Sequence, residues 1–241
     1  MGVVVVDGRA RDRMSAHTHE EPFVAWTETA TVRFDSGGRS WLVPPGHGMW
    51  IPAGAPHAFE ILRAGTGSAL TFDPARCALT WPEPTAFVVT PLVRALVRHL
   101  GGLAGPSGAA RSRVEAVLFD VLEPAPALTV ALPMPRDDRL RTVAEGLLAD
   151  PADGRELAHW AFEVGAGVRT LSRLFVAETG MTFGRWRTHA RIRAALAPLA
   201  AGVPVGTVAR RVGFRKASAF TATFQRVTGR LPSSLAGERL A

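Results

Sequence analysis

The 241-residue chain reads as an α+β protein: an N-terminal β-barrel of jelly-roll type, linking helices, and an all-α C-terminal domain with two helix-turn-helix motifs. Three observations predict this. Residues 14–75 are interrupted by Gly and Pro every few positions (Gly37-Gly38, Pro44-Pro45-Gly46, Pro52 to Pro56, Gly65-Thr66-Gly67), and the short pieces between them are rich in Val, Phe, Trp and Thr. That is the pattern of a many-stranded sandwich or barrel. From Pro91 the apolar spacing changes to every fourth residue, which is helical. Beyond Leu157 two stretches repeat one another, each a short helix, a glycine-marked turn and a second helix with bases on its outer side.

Taken in order, Val3–Val6 is an edge strand, too short for a signal-peptide apolar region. Thr31-Val32-Arg33-Phe34 alternates polar with apolar and predicts a half-buried strand. Leu92, Leu96 and Leu100, then Val114, Leu118 and Leu122, predict amphipathic helices over Pro91–Leu100 and Arg111–Leu122, joined by a flexible turn at 101–108. The proline-punctuated stretch from Glu123 to Pro135 cannot be regular helix and marks a boundary. The expected organisation is 1–90 sensory barrel, 91–135 linking and dimerisation helices with a Pro-rich linker, and 136–241 tandem helix-turn-helix domain. Within the last, Asp137–Ala149 is helical by period, and Phe183–Ala200 is a long helix forming a rigid rod between the repeats.

Composition narrows the function classes. A 47% hydrophobic content supports real cores and excludes wholesale disorder. No apolar run approaches the ~18 residues of a membrane span. The single cysteine, Cys77, forms no internal disulfide, so a reducing cytoplasm is expected. The net charge of +7 is unevenly placed: −1 over residues 1–135 and +8 over 136–241. From Gly167 onward thirteen bases face only Glu178 and Glu238. Charge alone would describe a solvated face; combined with the tandem repeat it predicts a phosphate-binding surface on double-stranded DNA.

In the first repeat Leu157, Ala161 and Val164 support the turn at Gly165, and Leu171, Leu174 and Phe175 form the second helix's buried stripe. Arg169, Thr170, Ser172 and Arg173 remain as base-contacting candidates. In the second repeat Val205, Val208, Ala209 and Val212 give support, and Phe220, Phe224 and Val227 anchor. Arg215, Lys216, Ser218, Thr221 and Ala222 are left outward. Arg pairs bidentately with guanine, while Thr and Ala methyls meet thymine. Arg185, Arg187, Arg191 and Arg193 are expected to anchor phosphates.

Over roughly Leu157–Leu235 these residues resemble the AraC family of bacterial transcription regulators. The resemblance rests on Arg169 to Phe175, Glu178 to Phe183, Trp186-Arg187, Val208-Ala209, Val212-Gly213-Phe214, Ser218-Ala219-Phe220, Phe224, and Gly229 with Pro232. It implies two recognition helices held by a connecting helix and docked in consecutive major grooves about 34 Å apart. The chain departs from the pattern at Ala166-Gly167, where a serine commonly caps the first recognition helix, and at Leu231 before the proline.

In the N-terminal half, Gly46, Pro52, Gly54 and His57 fit G-x5-P-x-G-x2-H and resemble the second signature of cupin barrels, with His17-Thr18-His19 upstream. The resemblance implies a metal site in a small barrel. If His17 and His19 share a strand face, they and His57 form a three-histidine set suited to Zn, Ni, Fe or Cu. Glu21 is a fourth candidate, since Phe23 and Val24 stand where the family often has Glu or Gln. The alternatives are a vestigial barrel whose histidines only hydrogen-bond, and a metal-free pocket walled by Trp26, Trp41 and Trp50 for a small effector. The leading expectation is a homodimeric, cytoplasmic regulator controlled by a metal ion or small effector, with RNA polymerase a candidate partner. The competing one is a cupin-type metal-dependent enzyme with an accessory helical domain.

Overall fold

The computed structural model describes residues 3–9, 12–101, 108–125 and 128–237. The first unit contains β1 (Val3–Gly8), β2 (Arg13–His17), β3 (Phe23–Thr27), β4 (Thr31–Ser36), β5 (Arg39–Val43), β6 (His47–Ile51), β7 (His57–Arg63), β8 (Gly65–Thr71), β9 (Thr85–Val88), α1 (Pro91–Gly101) and α2 (Gly108–Val121). One antiparallel sheet runs β1-β8-β3-β6-β9, which places β1 on an edge as expected; the other contains β5, β4, β7 and β2 in that order.

Strand β3 shows why Phe-Val-Ala-Trp-Thr is buried on both faces. Phe23 points into the cluster between the sheets, with Phe34, Trp41, Val43, Met49 and Ile51. Val24 and Trp26 point the other way and pack with Trp50, Leu70, Phe72 and Phe87 against α1 and α2. Those helices contribute Val93, Val97, Leu100, Leu118 and Phe119, with Leu122 just beyond α2. At about 1.5–3 kcal/mol per buried side chain, they belong to the core of the first unit, not to a separate linking segment. The α1 stripe is accordingly Val93-Val97-Leu100, and Leu92, expected inside, is 51% exposed.

The second unit contains β10 (Leu128–Ala131), α3 (Asp138–Ala149), α4 (Leu157–Glu163), α5 (Val168–Thr179), α6 (Phe183–Ala200), α7 (Val205–Arg211), α8 (Ala217–Thr228) and α9 (Ser234–Gly237). It also takes in the hairpin tip Gly37–Ser40. The division falls at 127/128, inside the proline-punctuated stretch of 123–135, because Leu128–Ala131 is strand and Leu132 joins the helical core. The turn expected at 101–108 falls largely on residues 102–107, outside the described residues.

Helix α6 has the predicted bounds and acts as the rod. Its first half puts Phe183, Trp186 and Ala190 into a core with Leu140, Val143, Leu147, Trp160, Leu171 and Phe175. Its second half buries Ile192, Leu196 and Leu199, and α7 and α8 pack on it. The Trp186 indole N–H donates to the Pro133 carbonyl at 2.8 Å. Asp137 caps α3 by accepting from the Arg139 N–H. Glu178 at the end of α5 accepts from the backbone N–H groups of Arg136 (2.6 Å) and Asp137 (3.1 Å), which fastens α5 to the start of α3. Among the described residues no helix is long and apolar enough to cross a membrane.

Candidate functional site

The two repeats are the same object built twice. Val164 and Val212 close α4 and α7 by donating to Trp160 and Val208 at 3.0 Å. Gly165 and Gly213 follow with φ of 62° and 82°, a left-handed turn open to glycine at no steric cost. Ala166 and Phe214 then donate to Ala161 and Ala209, each at 2.9 Å. At the far ends Gly180 and Gly229 terminate α5 and α8 with φ of 67° and 74°. The Thr179 and Thr228 hydroxyls donate back to Phe175 and Phe224 at 2.6 and 2.8 Å.

Superimposing the buried residues Leu171 and Phe175 on Phe220 and Phe224 equates Arg169 with Ser218, Thr170 with Ala219, Ser172 with Thr221 and Arg173 with Ala222. All are exposed except Thr221, which is half-buried. Arg215 and Lys216 are exposed just before α8, with Lys216 as its N-cap residue. Neither α5, capped by Gly167, nor α8 has a side-chain N-cap bond, consistent with the missing serine.

The arginines of α6 have separate fates. Arg185 is exposed. Arg187 is half-buried, donates to the Arg155 carbonyl at 2.8 Å and lies 5.1 Å from the Phe183 ring centre. Arg191 is a strut and not the expected phosphate anchor: Nε donates to Pro151 O (2.9 Å), Nη1 to Gly213 O (3.2 Å) and Nη2 to Asp153 O (3.0 Å). Burial, then the neighbouring Arg187, lowers its pKa from the ordinary guanidinium value. Net charge carried no sign of this commitment.

In the first unit, β2 and β7 pair so that His17 lies directly opposite His57. His19 stands beyond the end of β2, so strand alternation is not what brings it in. A backbone bond does so: Gly54, with φ of 72°, donates to the His19 carbonyl at 2.8 Å. That is the signature glycine's task. One ring nitrogen from each of His17, His19 and His57 lies within 4.8 Å of the other two, with His17 Nε2 and His19 Nε2 3.2 Å apart. Nδ1 of His17 contacts Ser15 O (2.8 Å) and Nδ1 of His57 contacts Ala55 O (2.9 Å). With Nδ1 as donor, each Nε2 lone pair is left toward the cluster. Phe34 stacks on His57 at 5.5 Å. Burial, reinforced by His17 and His19, lowers the His57 pKa against the opposing pull of the Ala55 carbonyl, favouring the neutral ring that binds metals. Glu21 is exposed and outside this cluster. Of the three tryptophans expected as pocket walls, Trp26 borders the cavity but packs its side chain with Trp50 in the helix-side core, Trp41 packs between the sheets, and Trp50 donates to Trp81 O (3.0 Å).

A family model described as a helix-turn-helix domain matches residues 160–237. The HTH-type transcriptional regulator NimR of Escherichia coli is 31% identical over 195 residues, covering 80% of this chain and 71% of its own. The chain belongs to the AraC family of transcriptional regulators. RipA of Corynebacterium diphtheriae, another HTH-type transcriptional regulator, is 40% identical over 107 residues, 44% of this chain and 32% of its own. The solved structure of ToxT from Vibrio cholerae aligns with a TM-score of 0.41 at 11% identity, over 98% of this chain and 97% of that one. The 195 matched residues exceed the second unit, so the AraC-family kinship extends into the first unit and the enzyme alternative falls.

Proposed function

We propose that this AraC-family chain reads DNA with two unequal helices. The observation that carries the reading is the contrast within each recognition helix: Leu171, Phe175, Phe220 and Phe224 are wholly buried, while the polar and basic residues beside them face outward. On α5, Arg169 and Arg173, one helical turn apart, present guanidinium forks to guanine. At the matching positions α8 has Ser218 and Ala222, short side chains that let the helix lie close and meet thymine methyls. Its cations, Arg215 and Lys216, sit before its first turn and take phosphates together with Arg185. Arg187 contributes from its half-buried position.

The three histidines are the metal-holding set of this reading, for Zn, Ni or Fe. Their chemistry fits: three neutral imidazoles with carbonyl-oriented Nδ1 groups, where a tetrahedral ion with bonds of about 2.05 Å needs nitrogens about 3.3 Å apart. A bound ion would supply a Lewis-acidic centre with an open position. Occupancy would shift the balance between DNA-binding and non-binding states only through differential affinity. Homodimerisation draws support from Leu92 (51% exposed) and Val117 (44% exposed) on α1 and α2. Action in the cytoplasm with RNA polymerase belongs to the same proposal.

Mobility-shift titrations on the chain's own upstream region test the DNA reading. Affinity should fall with salt at a log–log slope of about −0.9 per phosphate contact. Salt-insensitive binding would refute it. Metal content of the wild type beside His17→Ala and His57→Ala tests the second part, and equal content in all three would end it.

A further inference from the structure

The histidine cluster opens onto a cavity of about 320 Å3 between the two sheets of the first unit. The inward faces of the strands supply its walls with a period of two: Phe23, Ala25 and Thr27 on β3, His57, Phe59 and Ile61 on β7, Gly65, Gly67, Ala69 and Thr71 on β8. The space exists because Ala25, Gly67 and Ala69 stand where bulky residues would close a core. Among the described residues no Asp, Glu, Lys or Arg lines it. The Thr27 hydroxyl is already spent on Pro44 O at 2.7 Å. Met14, at the edge strand β2, is 46% exposed while lining the cavity, so its apolar side chain marks the mouth.

We infer that this cavity takes a compact apolar molecule with one metal-ligating head, whose donor atom completes the coordination of an ion held by His17, His19 and His57. The inference rests on the metal reading above. The volume is that of a small-molecule site. A polyhydroxylated ligand would bury hydroxyls without partners, which the apolar wall penalises. An anionic head finds no cationic side chain among the described lining residues, so its charge is met at the metal. The three histidines, graded from exposed His19 through His17 to buried His57, place that head at the wet rim and the apolar body beyond it.

The test uses the full chain loaded with Co(II), and octanoate as probe. Visible d–d bands should appear on loading and shift on adding octanoate. Octanoate should bind about tenfold or more tightly to the loaded protein than to the metal-free one, and acetate should be without effect at equal concentration. Ala69→Leu should keep the Co(II) bands and lose the octanoate response; Ala25→Leu repeats the test from the neighbouring strand β3, where it pairs directly with Ala69, should Ala69→Leu fail to fold. Absent bands overturn the metal reading itself. Bands unmoved by bound octanoate overturn the head-group assignment. Octanoate binding no better than acetate, or undiminished in both filled variants, overturns the apolar cavity as the ligand site.

Discussion

Arg191→Ala separates a structural arginine from a DNA-binding one. Its guanidinium ties the loop before α4 to the turn of the second repeat through three backbone carbonyls. Each bond contributes about 1 kcal/mol net, and the carbonyls left behind are poorly placed to regain water, so the loss is about 3 kcal/mol. For a unit of this size a kilocalorie is worth about 4 °C, giving a fall of about 12 °C in the second unit's melting transition. The assay pairs thermal or urea unfolding, followed by circular dichroism, with a salt titration of DNA binding below the variant's transition. The strut reading requires lost stability with an unchanged salt slope. Wild-type stability, with a slope shallower by about one unit, would mean the side chain serves a phosphate and would refute the argument. Arg185→Ala is the counterpart: stability held, slope reduced by about 0.9.

Arg173→Ala should weaken operator binding by about 1–3 kcal/mol and relax the preference for guanine at one position without changing the salt slope, as read by competition with base-substituted duplexes. Gly165→Ala should cost about 1–2 kcal/mol for its left-handed backbone. Gly213→Ala should cost more in the same unfolding assay, because its new Cβ would stand 2.9 Å from the Arg191 guanidinium carbon and 3.0 Å from Ala152 Cα. Asp137→Ala should remove about 1 kcal/mol of α3 capping. The hydrogen bond with Arg139 holds the Asp137 carboxyl at about 2, below its ordinary 3.8, so this contribution is complete above that range and fades as pH falls toward 2. Wild type and variant should therefore converge in stability on acidification, and a constant gap would count against the cap.

Much of this molecule was legible in the chain because the signals were local. The helix at Phe183–Ala200, the two glycine turns and the buried stripes follow from periodicity and from the need for positive φ at Gly165 and Gly213. His57 was legible through the spacing of its turn glycines, and His17 through the H-x-H pair. What escaped was set by tertiary contact. Leu92 and Val93 are equally apolar, and only the position of the sheet decides which faces in. Leu128–Ala131, framed by prolines, looks like linker until Leu132 finds the helical core.

The arginines carry the same lesson into function. A count of positive charge over residues 136–241 treats Arg169, Arg173, Arg185, Arg187 and Arg191 alike, yet the fold divides them by what their donors meet. Arg191 exhausts its fork on carbonyls, Arg187 is half engaged, and Arg169 and Arg173 project from a helix whose other face is sealed by Leu171 and Phe175. On the proposed reading the second helix, with Ser218 and Ala222 at the equivalent positions, draws its specificity from short hydroxyl and methyl contacts made at close approach. The asymmetry therefore predicts an operator whose α5 half tolerates no loss of guanine, while the α8 half answers mainly to the removal of thymine methyl groups. Replacing thymine by uracil in the two halves separately, and guanine by adenine likewise, distinguishes this from two equivalent readers, which would respond alike to both.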